Sequence, residues 1–280
     1  MRCYLYFFFL PLFLFSQNEY SKNDHVQIKT NISDSNYIIN YTYKDHFSQI
    51  NYMNLSFDKK TTDKAIRKLG IPYSLFDQYS FSGSSQEEVD RKKAKRQEEV
   101  DSICLHGLFV DRDDVLELDY DLIVSFYKPF FKSIANDLIA VLKKDNNDSK
   151  KNRIEIAMKF IQDIPYGQPK RNKKKFKNGC LAPLEVLVKG YGDCDSKSLL
   201  FACILSNMID SGDILFVIEP DHLLAAVYYN QSMARGSKYF SSNGKRYYLC
   251  EVVGPARLDF GEEGEGKRRT GRKLLPLRIK

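Results

Sequence analysis

After the helical runs that begin at residue 121, the chain changes its hydrophobic period near Gly212, and that change limits the folds open to it. Upstream, apolar residues recur at helical spacing. Ile123, Phe126, Phe130, Ile134, Leu138 and Val141 predict a long amphipathic helix over 121–142. A second helix is predicted over 153–163, stopping before Pro165, and a third from Cys194 to about Met208. Downstream the pattern turns to β-rich runs at 214–218, 223–229 and 246–253, the last behind the turn Ser242-Asn-Gly244. Helices followed by a strand meander predict an α+β domain. Residues 18–60 are polar with short β-like runs such as 37–43, and residues 61–100 carry a charged helical pattern. We therefore expect a mostly helical N-terminal extension over 17–120, the α+β domain over 121–262 and a basic tail over 263–280.

The first residues read as an export signal. Arg2 supplies a positive start, an apolar run extends from Tyr4 to Phe15, and Ser16-Gln17 offers a small residue for cleavage. Twelve apolar residues are too short for a transmembrane span. Residues 1–16 are thus expected to be a removed signal peptide, and the mature chain to be periplasmic or extracellular. The net charge of +7 equals the seven Lys and Arg of the tail Gly266–Lys280, so basicity is a local property. A second basic run is Lys170–Lys177. Both read as solvated segments, with contact to an anionic surface as the functional alternative, and nucleic-acid binding is not supported.

Cysteine usage narrows the chemistry. Beyond Cys3 in the leader, the chain holds Cys104, Cys180, Cys194, Cys203 and Cys250, an odd number that leaves one thiol free in an exported protein. Nine residues separate Cys194 from Cys203, about 13 Å along a helix and half a rotation, so the two cannot bridge. Cys104 and Cys180 are the expected pair, the other reading being that the remaining cysteines are small buried side chains. Cys104-x-His106 with Cys180 lacks zinc-site spacing, and Gly190-Tyr-Gly192 lacks a phosphate-loop pattern, so neither a metal nor a cofactor is expected.

The segment Gly190-Tyr-Gly-Asp-Cys194 leads from a glycine turn into the apolar run that ends the third helix. A thiol at a helix N-terminus meets partial positive charge and free backbone N–H groups, which favour the nucleophilic thiolate. Only four histidines occur, and His222 alone opens an apolar strand. Glu251 follows on the last strand, with Asp259 as the rival acid. Nucleophile, base and orienting acid are thus expected to be Cys194, His222 and Glu251, an acyl-transfer set. Asp193 is placed to cap the helix. The oxyanion donors would be the Cys194 N–H and either Gln162 or Tyr166, which stand four residues apart.

Several segments carry a family resemblance: 160–166, Ala182-Pro-Leu-Glu-Val-Leu187, Gly190–Cys194, His222 and Cys250-Glu-Val-Val-Gly-Pro255. Over about 154–261 the chain resembles the transglutaminase-like superfamily of the papain-like thiol fold, most closely its bacterial transglutaminase-like cysteine proteinases. Where many members have a second acid two residues after the cysteine, this chain has Ser196. The resemblance implies a central Cys-bearing helix packed on an antiparallel sheet. It also implies acyl transfer from a peptide or protein amide through an acyl-thioester, with hydrolysis favoured over transamidation. The competing expectation is a catalytically silent module of the same scaffold that binds a cell-surface or anionic polymer.

Overall fold

The computed structural model describes residues 20–72, 83–112, 115–169, 175–176, 180–220, 222–264 and 272–279. The leader, most of the Lys170–Lys177 run and the tail over 265–271 lie outside the described residues.

The N-terminal part begins as a sheet, which corrects the expectation of a mostly helical extension. Strands β1 (Gln27–Ile32), β2 (Asn36–Lys44) and β3 (Ile50–Asp58) form an antiparallel meander in the order β1-β2-β3. The reason is local: Tyr37, Ile39, Tyr41 and Tyr43 alternate along β2 and are all buried, the period-two pattern of a strand with one face inward. Helix α1 (Lys59–Lys68) follows, N-capped by the Asp58 carboxylate on Thr61 N–H. The short strand β4 (Ile71–Pro72) comes next. Helix α2 (Gln86–His106) is the charged helix expected near residue 87, mostly exposed, with Ser85 as its N-cap. Strands β5 (Phe109–Arg112) and β6 (Val115–Leu118) make a small antiparallel ladder.

The long helix predicted over 121–142 is broken. Helix α3 (Tyr120–Tyr127) gives way to a 3-10 turn at Lys128–Phe131, and α4 (Lys132–Lys144) resumes. Pro129 is the cause, since it lacks the N–H that would bond a turn back and its ring crowds the preceding carbonyl. Helix α5 (Lys150–Gln162), strand β7 (Lys175–Phe176), helix α6 (Pro183–Lys189) and helix α7 (Cys194–Leu205) complete the helical part. Every residue of α7 from Ser196 to Leu205 is buried. A helix covered on all sides is the central element of its layer, and α7 packs against α3, α5, α6 and the sheet behind it.

That sheet is antiparallel throughout, in the order β10-β11-β9-β8-β12. Its strands are β8 (Ile214–Glu219), β9 (His222–Tyr228), β10 (Tyr239–Ser242), β11 (Lys245–Cys250) and β12 (Lys273–Pro276). Asn243 and Gly244 join β10 to β11 with φ of 49° and 73°, the left-handed pair that a tight two-residue hairpin requires. Phe216, Ala225, Val227 and Tyr248 face the helices, whereas Leu215, Val217, Ala226 and Leu249 form a smaller cluster on the opposite face. The fold is therefore α+β, with antiparallel sheets.

One buried cluster runs from Val26 in the N-terminal part to Leu277 beyond β12. Phe160 on α5 meets Tyr41 and Tyr43 edge-on, at centroid distances of 5.0 and 5.2 Å. The Tyr41 hydroxyl donates to the Phe160 carbonyl at 2.7 Å. The first sheet is thus packed onto the helix that will matter for the site.

Candidate active site

The turn ahead of α7 is built by two glycines. Gly190 closes α6 in the left-handed conformation, φ 70°, which residues with a Cβ rarely adopt. At Gly192 an added Cβ would press on Ser196 and on the Lys197 stem. Asp193 then caps α7: its Oδ1 accepts from Ser196 N–H at 3.0 Å and from the Ser196 hydroxyl. Ser196 Oγ in turn accepts from Leu181 N–H at 2.7 Å. Burial raises the Asp193 carboxyl, and the Ser196 bonds oppose it. Cys194 follows as the first helical residue, half-buried, where the backbone N–H has no intrahelical acceptor.

His222 opens β9, opposite Glu219 across the β8–β9 hairpin. Its Nε2 lies 3.2 Å from Glu251 Oε2. Burial pulls the imidazole pKa down, but side-chain hydrogen bonds to Cys194 and to Glu251, with the charges of both, raise it to about 10. With Nε2 on the carboxylate, Nδ1 is the ring nitrogen left for the sulfur. Glu251 stands one residue past β11, a slight shortening of the strand predicted to reach Val253. Its Oε1 accepts from Val253 N–H at 3.1 Å, so both carboxylate oxygens are held. The rival acid is elsewhere: Asp259 binds Lys159 at 2.7 Å, and its side chain is 65% exposed.

Asp195 also meets the Cys194 thiol. Cys194 Sγ donates to Asp195 Oδ1 at 3.5 Å. Burial raises the Asp195 carboxyl; the Cys194 bond, the nearby His222 and the Leu223 N–H act in the other direction.

The two oxyanion candidates part company. Tyr166 lies beside the turn, its backbone bridging Gly192 on one side and Ser21 on the other. Burial raises its phenol, as do the neighbouring Cys194 and Asp193. Gln162 is tied up. Its amide nitrogen donates to the Glu251 carbonyl at 2.7 Å and to the Leu258 carbonyl at 2.8 Å, so both N–H bonds are spent on the backbone that carries the acid.

Gln162 belongs to a polar row on α5 that sequence reasoning did not single out. Glu155 accepts from Phe260 N–H at 3.1 Å, and Lys159 Nζ donates to the Leu258 carbonyl at 2.8 Å. Just past the helix, Asp163 pairs with Arg257. Together these groups clamp the segment 251–260 to α5. The spacing 155, 159, 163 was the visible sign, since charges four residues apart share one face. Gly254 sits where this segment comes closest: an added Cβ would fall on the Gln162 carbonyl oxygen. Gly254→Ala is expected to cost about 2 kcal/mol or more, read as a lowered Tm, and to slow alkylation of Cys194 as Glu251 shifts.

All five cysteines among the described residues are free thiols, which corrects the Cys104–Cys180 pairing. Cys180 is fully buried beneath the α7 turn, while Cys104 lies on the exposed helix α2. Among the described residues no group of three His, Cys, Asp or Glu side chains is placed to hold a metal ion, and Cys104, His106 and Cys180 do not assemble one. No described helix is long and apolar enough to cross a membrane. A separate surface pocket lined by Glu117, Tyr120, Phe216 and Lys273, among others, contains none of Cys194, His222 and Glu251. No protein-family model, no curated protein and no solved structure matches the chain.

Proposed function

We propose that the chain is an exported, cofactor-independent thiol enzyme that transfers acyl groups from peptide or protein amides, with a transglutaminase-like core. One observation carries the reading: His222 neighbours Cys194, the first residue of a helix, and holds through Nε2 a carboxylate 3.2 Å away. A helix-borne Cys, a strand-borne His and an acid at the end of the neighbouring strand also keep the order and placement that the family resemblance implies.

In the proposed cycle Cys194 gives its proton to His222, and the thiolate attacks the amide carbonyl carbon. The oxyanion develops beside the Cys194 N–H and Tyr166. The C–N bond then breaks, the amine leaves with the proton from His222, and an acyl-thioester remains. Water attacks that thioester as His222 takes its proton, and Cys194 departs as the thiolate. The sum is amide plus water to carboxylic acid plus amine. Glu251 holds Nε2–H, so that Nδ1 faces the sulfur, and stabilises the imidazolium. Hydrolysis is favoured over transamidation because water is the default acceptor.

Iodoacetamide labelling of Cys194 from pH 5 to 10, followed by mass spectrometry, tests the pair directly. Wild type should label quickly at pH 6, where an isolated thiol with a pKa of about 8.5 is mostly protonated. His222→Ala should label at least about tenfold more slowly there. Equal profiles in the two proteins would sink the reading and leave the silent binding module.

A further inference from the structure

The mechanism uses no cation beneath the nucleophile helix, yet one is there. Lys197 lies three residues after Cys194, one turn along α7, and is fully buried. Its Nζ donates to the Ile164 carbonyl at 2.7 Å and to the Gln162 carbonyl at 3.3 Å. These oxygens stand at the C-terminal end of α5, where helix carbonyls lack intrahelical partners and a cation is favoured. Lys197 therefore ties the helix that bears Cys194 to the end of the helix that holds the acid.

That end is where the acid segment is anchored. The Gln162 side chain binds the Glu251 carbonyl, and Asp163 holds Arg257. The charges acting on Lys197 from packed elements are Asp163, at the end of α5, and Glu251, past β11. On its own helix the N-cap Asp193 accepts its backbone N–H. Burial lowers the amine pKa to about 7, against the opposing pull of Asp163 and Glu251. A buried ammonium bound only to carbonyls is a costly placement, and an apolar side chain of similar length is commonly tolerated as well or better.

We propose that Lys197 is a positioning residue for the catalytic set: its ammonium braces α7 against the end of α5, where Gln162 anchors the Glu251 backbone, and so keeps Glu251 aimed at His222. The proposal rests on the thiol-enzyme reading above. It acts through Glu251 and not on substrate.

The test uses the full chain with Lys197→Met, which keeps the length of the side chain and removes the charge. Iodoacetamide labelling of Cys194 across pH is compared with wild type and His222→Ala, beside thermal melts of each. Lys197→Met should melt no lower than wild type and label about tenfold more slowly at pH 6. A merely structural lysine predicts the reverse, a lowered Tm with an unchanged profile, and that result overturns the proposal. Should Lys197→Met not fold, Lys197→Gln keeps two N–H donors without the charge and replaces it. If neither variant folds, the proposal also fails, because the amine is then a requirement of the fold. Failure of the thiol-enzyme reading looks different: wild type itself would label like His222→Ala.

Discussion

Cys194→Ala is expected to lower amide turnover by about 10,000-fold or more, because in the proposed cycle it removes the group that forms the covalent intermediate, and the remaining members cannot act without it. The fold should hardly notice. Cys194 is half-buried at the first position of α7, and the cap that starts the helix belongs to Asp193 and Ser196. A stability change within about 1 kcal/mol is therefore expected. The assay is incubation with a mixed peptide pool and mass spectrometry of the products. New termini report hydrolysis, and amine-adducted glutamine reports transamidation. Full turnover in the folded alanine variant would refute a Cys194 nucleophile. Absence of turnover in wild type, with retained binding of an anionic polymer, would instead favour the silent module.

Glu251→Gln should move the alkaline limit of the enzyme down. His222 is raised above its ordinary 6.5 to about 10, through its bonds to Cys194 and Glu251. A raised imidazole adds stability that is fully present below pH 6.5 and is lost as pH climbs through about 10. In the proposed cycle the same window governs catalysis, because the departing amine needs the imidazolium proton. Wild-type activity should hold through neutrality and fall near pH 10. With glutamine the carboxylate charge disappears while the burial of His222 remains, so the limb shifts toward neutral pH. Activity at pH 7 should fall about 100-fold or more with loss of the base's orientation and charge support. A pH–kcat profile of both proteins decides this; superimposable alkaline limbs would remove Glu251 from the site.

What could be read in the sequence was periodic or chemically unusual. The change from helical to strand period gave the α+β class, and a glycine turn running into an apolar segment marked α7. His222 and Glu251 were legible because each opens or closes an apolar strand in a chain with few histidines. Other features depend on partners far away in sequence. Pro129 divided a helix that its apolar spacing alone made continuous. The N-terminal meander was undervalued because its outward residues are polar, and only the burial of Tyr41 and Tyr43 against Phe160 fixes it as a packed sheet. Gln162 reads as an oxyanion donor by its nearness to Tyr166, but both of its N–H bonds go to backbone carbonyls at Glu251 and Leu258, far along the chain. Lys197 stood in plain view in an apolar helix, without the carbonyls that explain it.

Asp163 makes the boundary of the working unit a matter of wiring. Its fully buried carboxylate accepts from His25 at 2.8 Å, from Asn23 at 3.2 Å and from the Lys44 backbone N–H at 2.7 Å, besides pairing with Arg257. Arg257 in turn donates to the Lys44 and Asp45 carbonyls. Three of the four donors on one carboxylate thus come from the first 44 residues, and the fourth comes from the segment that presents Glu251. A fragment beginning at residue 121 would keep the cysteine, the histidine and the glutamate, but it would leave a buried anion short of donors beside them. The smallest piece of this chain able to hold Cys194, His222 and Glu251 in this arrangement therefore starts before His25.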